Sequence, residues 1–146
     1  MNEMAYSTAL SQGISILLYI HVLSEENCSN YLSTKLISEQ LNIPVPTTVK
    51  VIRNLNNAKL TMAKEGAKGG ILLAQPLSEI TMLDVFLAVE PGKDLFKVHT
   101  DVTLQGQDVD DVKEKIIHHL EGAEIAMQNY LKDIRLTDLF HEERKG

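Results

Sequence analysis

STKLISEQLNIPVPTTVKVIRNLNN, residues 33–57, is the stretch on which the fold turns. Ser33 stands just ahead of Leu36, Ile37 and Leu41, which recur at helical spacing, so it caps a short helix from about Thr34 to Leu41. Asn42 ends that helix, because Asn tolerates the left-handed conformation that closes one. After Ile43-Pro44 the next helix begins near Pro46, where a proline gives up no helical hydrogen bond, and runs to about Ala58. Thr48, Val51, Ile52 and Leu55 form its inner stripe, which leaves Thr47, Lys50, Arg53, Asn54 and Asn57 toward solvent. Two short helices, a tight turn and a basic, amide-rich outer face make a helix-turn-helix.

Working outward, Leu60 to Lys64 and Ile71 to Ala74 read as two strands around Glu65-Gly66-Ala67-Lys68-Gly69-Gly70, a glycine-rich tip suited to a tight hairpin. A basic hairpin directly after a helix-turn-helix is a wing. Thr81 and Asp84 then open a capped helix through Glu90, with Met82, Val85, Phe86 and Val89 inward, and Pro91-Gly92 stops it. Residues 93–107 show no period and read as a loop. Beyond them Val109, Val112, Ile116, Leu120, Ala123, Met127, Leu131 and Ile134 step by three or four, and no other helix remains to cover so long a stripe. A second copy of the chain is the expected cover, on Val112, Ile116, Leu120, Ala123, Met127, Leu131 and Ile134. Upstream, Leu10, Ile14, Leu17 and Leu18 mark a first helix capped by Ser7, and Ser24 to Asn30 read as a loop carrying Cys28. The expected architecture is mainly α with a small two-stranded β wing. A winged helix-turn-helix fills residues 1–92, a loop 93–107, and a dimerisation helix with a C-terminal tail 108–146.

Composition narrows the class. The chain has 146 residues, 44% of them apolar and 23% charged, which suits one globular domain with a real core. The longest apolar stretch, Ile14 to Leu23, is broken by Ser15 and His21 and falls short of a bilayer span. Glu3 and the absence of a basic leading segment argue against an export signal, so the cytoplasm is the expected location. A single cysteine, Cys28, permits no intrachain disulfide and no multi-cysteine metal site. The net charge of −6 is uneven: from Tyr31 to Gln75 six bases face two acids, +4, while the rest of the chain holds eight bases and eighteen acids, −10. By itself the split fits chance clustering on a solvated face better than a polyanion site; the helix-turn-helix within it is what points to a polyanion.

Double-stranded DNA fits that third. A helix fills the major groove, where Lys50 and Arg53 reach phosphates or guanine edges, and Lys64 and Lys68 track the backbone. Thr47, Thr48 and Gly69 complete the candidate surface; for Thr48 an inward packing role competes. A winged helix that has turned from DNA to a protein partner is the alternative, and salt dependence separates the two. No Gly-x-Ser-x-Gly, phosphate loop or metal-ligand spacing is found, so no catalytic residue, metal or enzyme activity is expected. Adjacent His118 and His119 diverge by about 100° on a helix and suit a surface. Met62, Met82 and Met127 read as core filler. Cys28 is the one redox candidate, although Glu25 and Glu26 beside it disfavour a thiolate. Phe86, Phe96 and Tyr130 mark a place for a small effector between the core and the long helix.

Ile37-Ser-Glu-Gln-Leu-Asn-Ile43, Gly66-Ala-Lys-Gly-Gly70, Ile80-Thr-Met-Leu-Asp-Val-Phe-Leu-Ala-Val-Glu90 and Leu136-Thr-Asp-Leu139 occur in order. Together they resemble the Rrf-two family of bacterial winged-helix repressors over nearly the whole chain. The resemblance implies a homodimer that binds a palindromic operator through the third helix and the wing. It also brings contrasts. Many members hold an iron–sulfur cluster on three cysteines after the helix matching Thr81 to Glu90; here residues 91–107 offer only Asp94, His99 and Asp101, so no cluster is expected. Glu65-Gly66 stands where the family has Arg-Gly, and Lys59 stands where it has a glycine, which predicts a less relaxed turn. Val49 occupies a position that is often a base-reading glutamate, and an apolar residue there can meet only a thymine methyl.

Overall fold

The computed structural model describes residues 8–27, 32–64, 69–90 and 96–140. Five helices and one hairpin follow in order: α1 (Ala9–Asn27), α2 (Thr34–Leu41), α3 (Val45–Asn57), β1 (Thr61–Lys64), β2 (Gly70–Leu73), α4 (Met82–Val89) and α5 (Gln107–Lys132). The expected architecture is present. α1 corrects one expectation, since Ser24 to Asn27 continue the helix instead of opening a loop. The Ser24 hydroxyl donates back to the His21 carbonyl at 3.0 Å, satisfying itself on the helix and not in a turn. Ser7, Cys28, Glu65, Gly66, Lys68, Pro91, Gly92 and Asp94 lie outside the described residues.

One core unites α1 to α4. Ile16, Leu17 and Ile20 of α1 are buried together with Ile37 of α2, Leu55 of α3, Ile80 and Val85. At roughly 2 to 3 kcal/mol per large aliphatic side chain removed from water, this cluster is the main source of stability. α1 and α4 meet closely at Gly13, where an added Cβ would lie 3.0 Å from the Val85 side chain and 3.2 Å from that of Val89. α4 begins at a complete capping box: the Asp84 amide donates to Thr81 Oγ1 at 3.1 Å and the Thr81 amide to Asp84 Oδ2 at 3.0 Å. Ala88 joins Val85 and Val89 on its buried face, while Phe86 is half-buried.

β1 and β2 pair antiparallel, with Thr61 opposite Leu73 and Lys64 opposite Gly70. The far edge of β2 is engaged too, because Leu32 and Ile71 exchange backbone hydrogen bonds of 3.3 and 2.8 Å. That single residue ahead of α2 adds a third rung to the wing's base. Met62 corrects another expectation: it points outward, 49% exposed, since only Thr61 of β1 faces the core.

The end of the chain returns to the start of α4. Thr81 and Arg135 form an antiparallel bridge, with the Met82 amide on the Ile134 carbonyl and the Leu136 amide on the Ile80 carbonyl, both at 2.9 Å. Leu136 is fully buried beneath it, and the Arg135 guanidinium reaches the Ser78 carbonyl at 3.3 Å. α5 itself begins at Gly106, whose φ of 136° is a conformation L residues rarely adopt. Leu131 is the buried residue of this long helix.

Candidate nucleic-acid interface

The helix-turn-helix is fixed by its caps and by one carbonyl. Ser33 Oγ accepts from the Leu36 amide at 3.0 Å and starts α2; Asn42, at φ 55° and ψ 44°, ends it as a left-handed cap. Pro44 and Pro46 bracket the start of α3. Inside the turn the Ile43 carbonyl accepts from two buried hydroxyls, Ser38 Oγ and Thr48 Oγ1, and Thr48 also donates to the Pro44 carbonyl at 3.1 Å. A buried hydroxyl without such partners would cost a few kcal/mol, so α2 and α3 are held at one angle. Thr48 is 0% exposed. Its place in the turn removes it from the surface a duplex can reach, which corrects the reading of it as a DNA contact.

α3 divides as its pattern predicts. Thr48, Val51, Ile52 and Leu55 are buried; Lys50, Arg53 and Asn57 are exposed and Thr47 and Asn54 half-buried. Lys64 is exposed at the end of β1, and Gly69 is half-buried just ahead of β2. The structure therefore brings Thr47, Lys50 and Arg53 together on one helix, with Lys64 on the hairpin that follows.

Helix and wing are joined at a strained corner. Lys59 has φ 64°, the left-handed region that favours glycine. Its carbonyl accepts from Gln75 Nε2 at 3.0 Å, and its amide donates to the Asn56 carbonyl at 2.9 Å. Thr61 Oγ1 donates to Asn56 Oδ1, a second tie between α3 and β1. Neither Gln75 nor Asn56 carries a signal in sequence, since each acts on a partner several residues away in the chain.

The long helix presents a largely open face. Val112, Ile116 and Ala123 are exposed, Leu120 and Met127 half-buried, and Ile125, outside the predicted stripe, is 58% exposed. Leu131 packs within its own chain, and Ile134 lies past the helix end in the bridge to α4, which narrows the open part of the stripe to its N-terminal two-thirds. Beside it, Phe96, Val98, Ile117, Leu120, Glu121 and Glu124 line a cavity of about 100 Å³. Tyr130 is 71% exposed and does not join Phe96 there, which corrects the predicted aromatic convergence. His118 and His119 are exposed with ring centroids 5.3 Å apart. Among the described residues no three His, Cys, Asp or Glu side chains converge as a metal group, and no helix is long and apolar enough to cross a membrane.

Comparison with known proteins places this geometry. The model of the Rrf2 family, described as an iron-dependent transcriptional regulator, matches residues 6–142. YwgB of Bacillus subtilis, named as an HTH-type transcriptional regulator, is 34% identical over 87 residues, 60% of this chain and 54% of its own. The chain thus spans about half the length of that relative. YwnA of the same organism, named in the same way, is 25% identical over 122 residues, covering 84% of this chain and 91% of that one. The structure of CymR, the global cysteine regulator of B. subtilis, superposes with a TM-score of 0.63 over 96% of this chain and 98% of that one at 21% identity, a likeness of fold.

Proposed function

This chain belongs to the Rrf2 family of DNA-binding transcriptional regulators, and from that premise we propose that it is a repressor that binds a palindromic operator as a homodimer. α3 enters the major groove with Lys50 and Arg53, Thr47 at its edge, while Lys64, Lys68 and Gly69 bring the wing to the adjoining backbone. The observation that carries this reading is the division of α3 into a buried side, Thr48, Val51, Ile52 and Leu55, and an exposed side that carries Lys50 and Arg53. The second copy packs on α5, whose Val112 and Ile116 are 56% and 46% exposed. Two helix-turn-helix units held by such an interface address two half-sites, which is why the operator is a palindrome.

The residues do not fit the iron–sulfur cluster that the family description suggests. Such clusters are held by thiolates, and Cys28 is the one cysteine of the chain. The segment before α5 offers His99 and Asp101 among its described residues. The regulator works without that cofactor and without catalysis, in the cytoplasm where its DNA is. Its signal enters either at the small cavity between Phe96 and Leu120 or at the Cys28 thiol.

Binding to random-sequence and genomic duplexes across a salt series tests the proposal. Enrichment of one palindrome, with affinity falling steeply as salt rises, is the expected outcome. Binding that ignores salt and selects no sequence overturns it in favour of a protein-binding winged helix. Replacement of Cys28 by Ser should abolish any response of that enrichment to mild oxidation; an unchanged response ends the thiol reading.

A further inference from the structure

The solvent side of α3 is not polar throughout. Val45 is 48% exposed and Val49 40% exposed, and they stand one turn apart on the N-terminal half of the helix, with Arg53 one turn further on. Successive i, i+4 residues lie within about 40° of one another around a helix, so the three form one continuous strip. Neither valine belongs to the buried cluster that holds α3 to the fold. The face that Lys50 and Arg53 bring to a duplex thus carries two branched apolar side chains that hydrogen-bond nothing.

Of the four base pairs, only those with thymine show an apolar group in the major groove, the C5 methyl. We infer that Val45 and Val49 read thymine methyls, and that each operator half-site places two thymines where these side chains enter the groove. The inference rests on the DNA-binding reading of α3 given above. Four residues rise about 6 Å along a helix, and successive base pairs rise about 3.4 Å, so a helix following the groove sets the two thymines about two steps apart. Lys50 and Arg53 hold the helix through phosphates; the valines supply discrimination against cytosine, whose edge offers an amino group and no methyl.

Uracil tests this cleanly, since it keeps every hydrogen-bonding group of thymine and lacks only the methyl. A random 30-base-pair library is selected on the full-length protein, and the most enriched duplex is resynthesised with deoxyuridine in place of every thymidine. The expected result is a loss of roughly 250-fold in the affinity of the dimer on removing four methyl contacts, two in each half-site, at about fourfold each. Single replacements should map the loss to two positions per half-site. The Val45→Ser/Val49→Ser double variant, which carries no methyl at either exposed position, should bind the two duplexes equally. Equal binding of both duplexes by the unsubstituted protein overturns the inference while leaving the DNA-binding reading intact. Selection of no sequence at all overturns both.

Discussion

Lys59 shows how much a single backbone angle decides. An L residue held at φ 64° costs on the order of 1 to 2 kcal/mol relative to glycine, and Gln75 pins the carbonyl that fixes this angle. Lys59→Gly should therefore raise stability by about 1 kcal/mol, seen as a rise of a few degrees in thermal melting. The opposite extreme is Leu55, fully buried where α3 meets the core: Leu55→Ala should cost about 2 to 5 kcal/mol in denaturant unfolding. Both residues were legible in the sequence, Leu55 through its spacing and Lys59 through the glycine it displaces in a resembling family. Thr48 was not, because helical period and surface chemistry pull a threonine in opposite directions. Only the position of the Ile43 carbonyl, which the fold sets, resolves it.

Among the elements, those with local causes were read well. Ser33 and Asn42 bound α2, and Thr81 with Asp84 starts α4, because caps act within three or four residues. Thr81→Ala should cost about 1 kcal/mol through loss of that capping bond, measurable by chemical denaturation. The Leu32–Ile71 and Thr81–Arg135 bridges escaped, since each joins single residues far apart in the chain and leaves no period. α5 was legible as a helix but not in how much of its stripe packs within its own chain. Its exposed portion makes a direct prediction. Ile116→Glu, with Val112→Glu as a second variant, should yield a folded monomer by sedimentation and a loss of operator affinity of at least tenfold. A dimer that survives both changes would move the interface away from α5.

For the molecule as a whole, the uneven charge has a measurable consequence. The +4 of residues 31–75 against −10 elsewhere concentrates positive charge in the segment that holds the helix-turn-helix and the wing. With Lys50, Arg53, Lys64 and Lys68 each meeting a phosphate in two protomers, log affinity should fall with log salt at a slope of about −7. Removing Lys50 by alanine substitution should flatten it by about 2 in the dimer. The charge split was plain in the sequence, while the route by which α5 is secured to the winged domain was not. That route, the clamp of Arg135 and Leu136 onto the entry of α4, makes α5 a beam about 39 Å long, fixed at one end. Each degree of rotation at the clamp carries the beam's free end through about 0.7 Å. In a dimer joined along such beams, as proposed above, a rotation of a few degrees at the clamp would re-space the two reading heads by several ångströms.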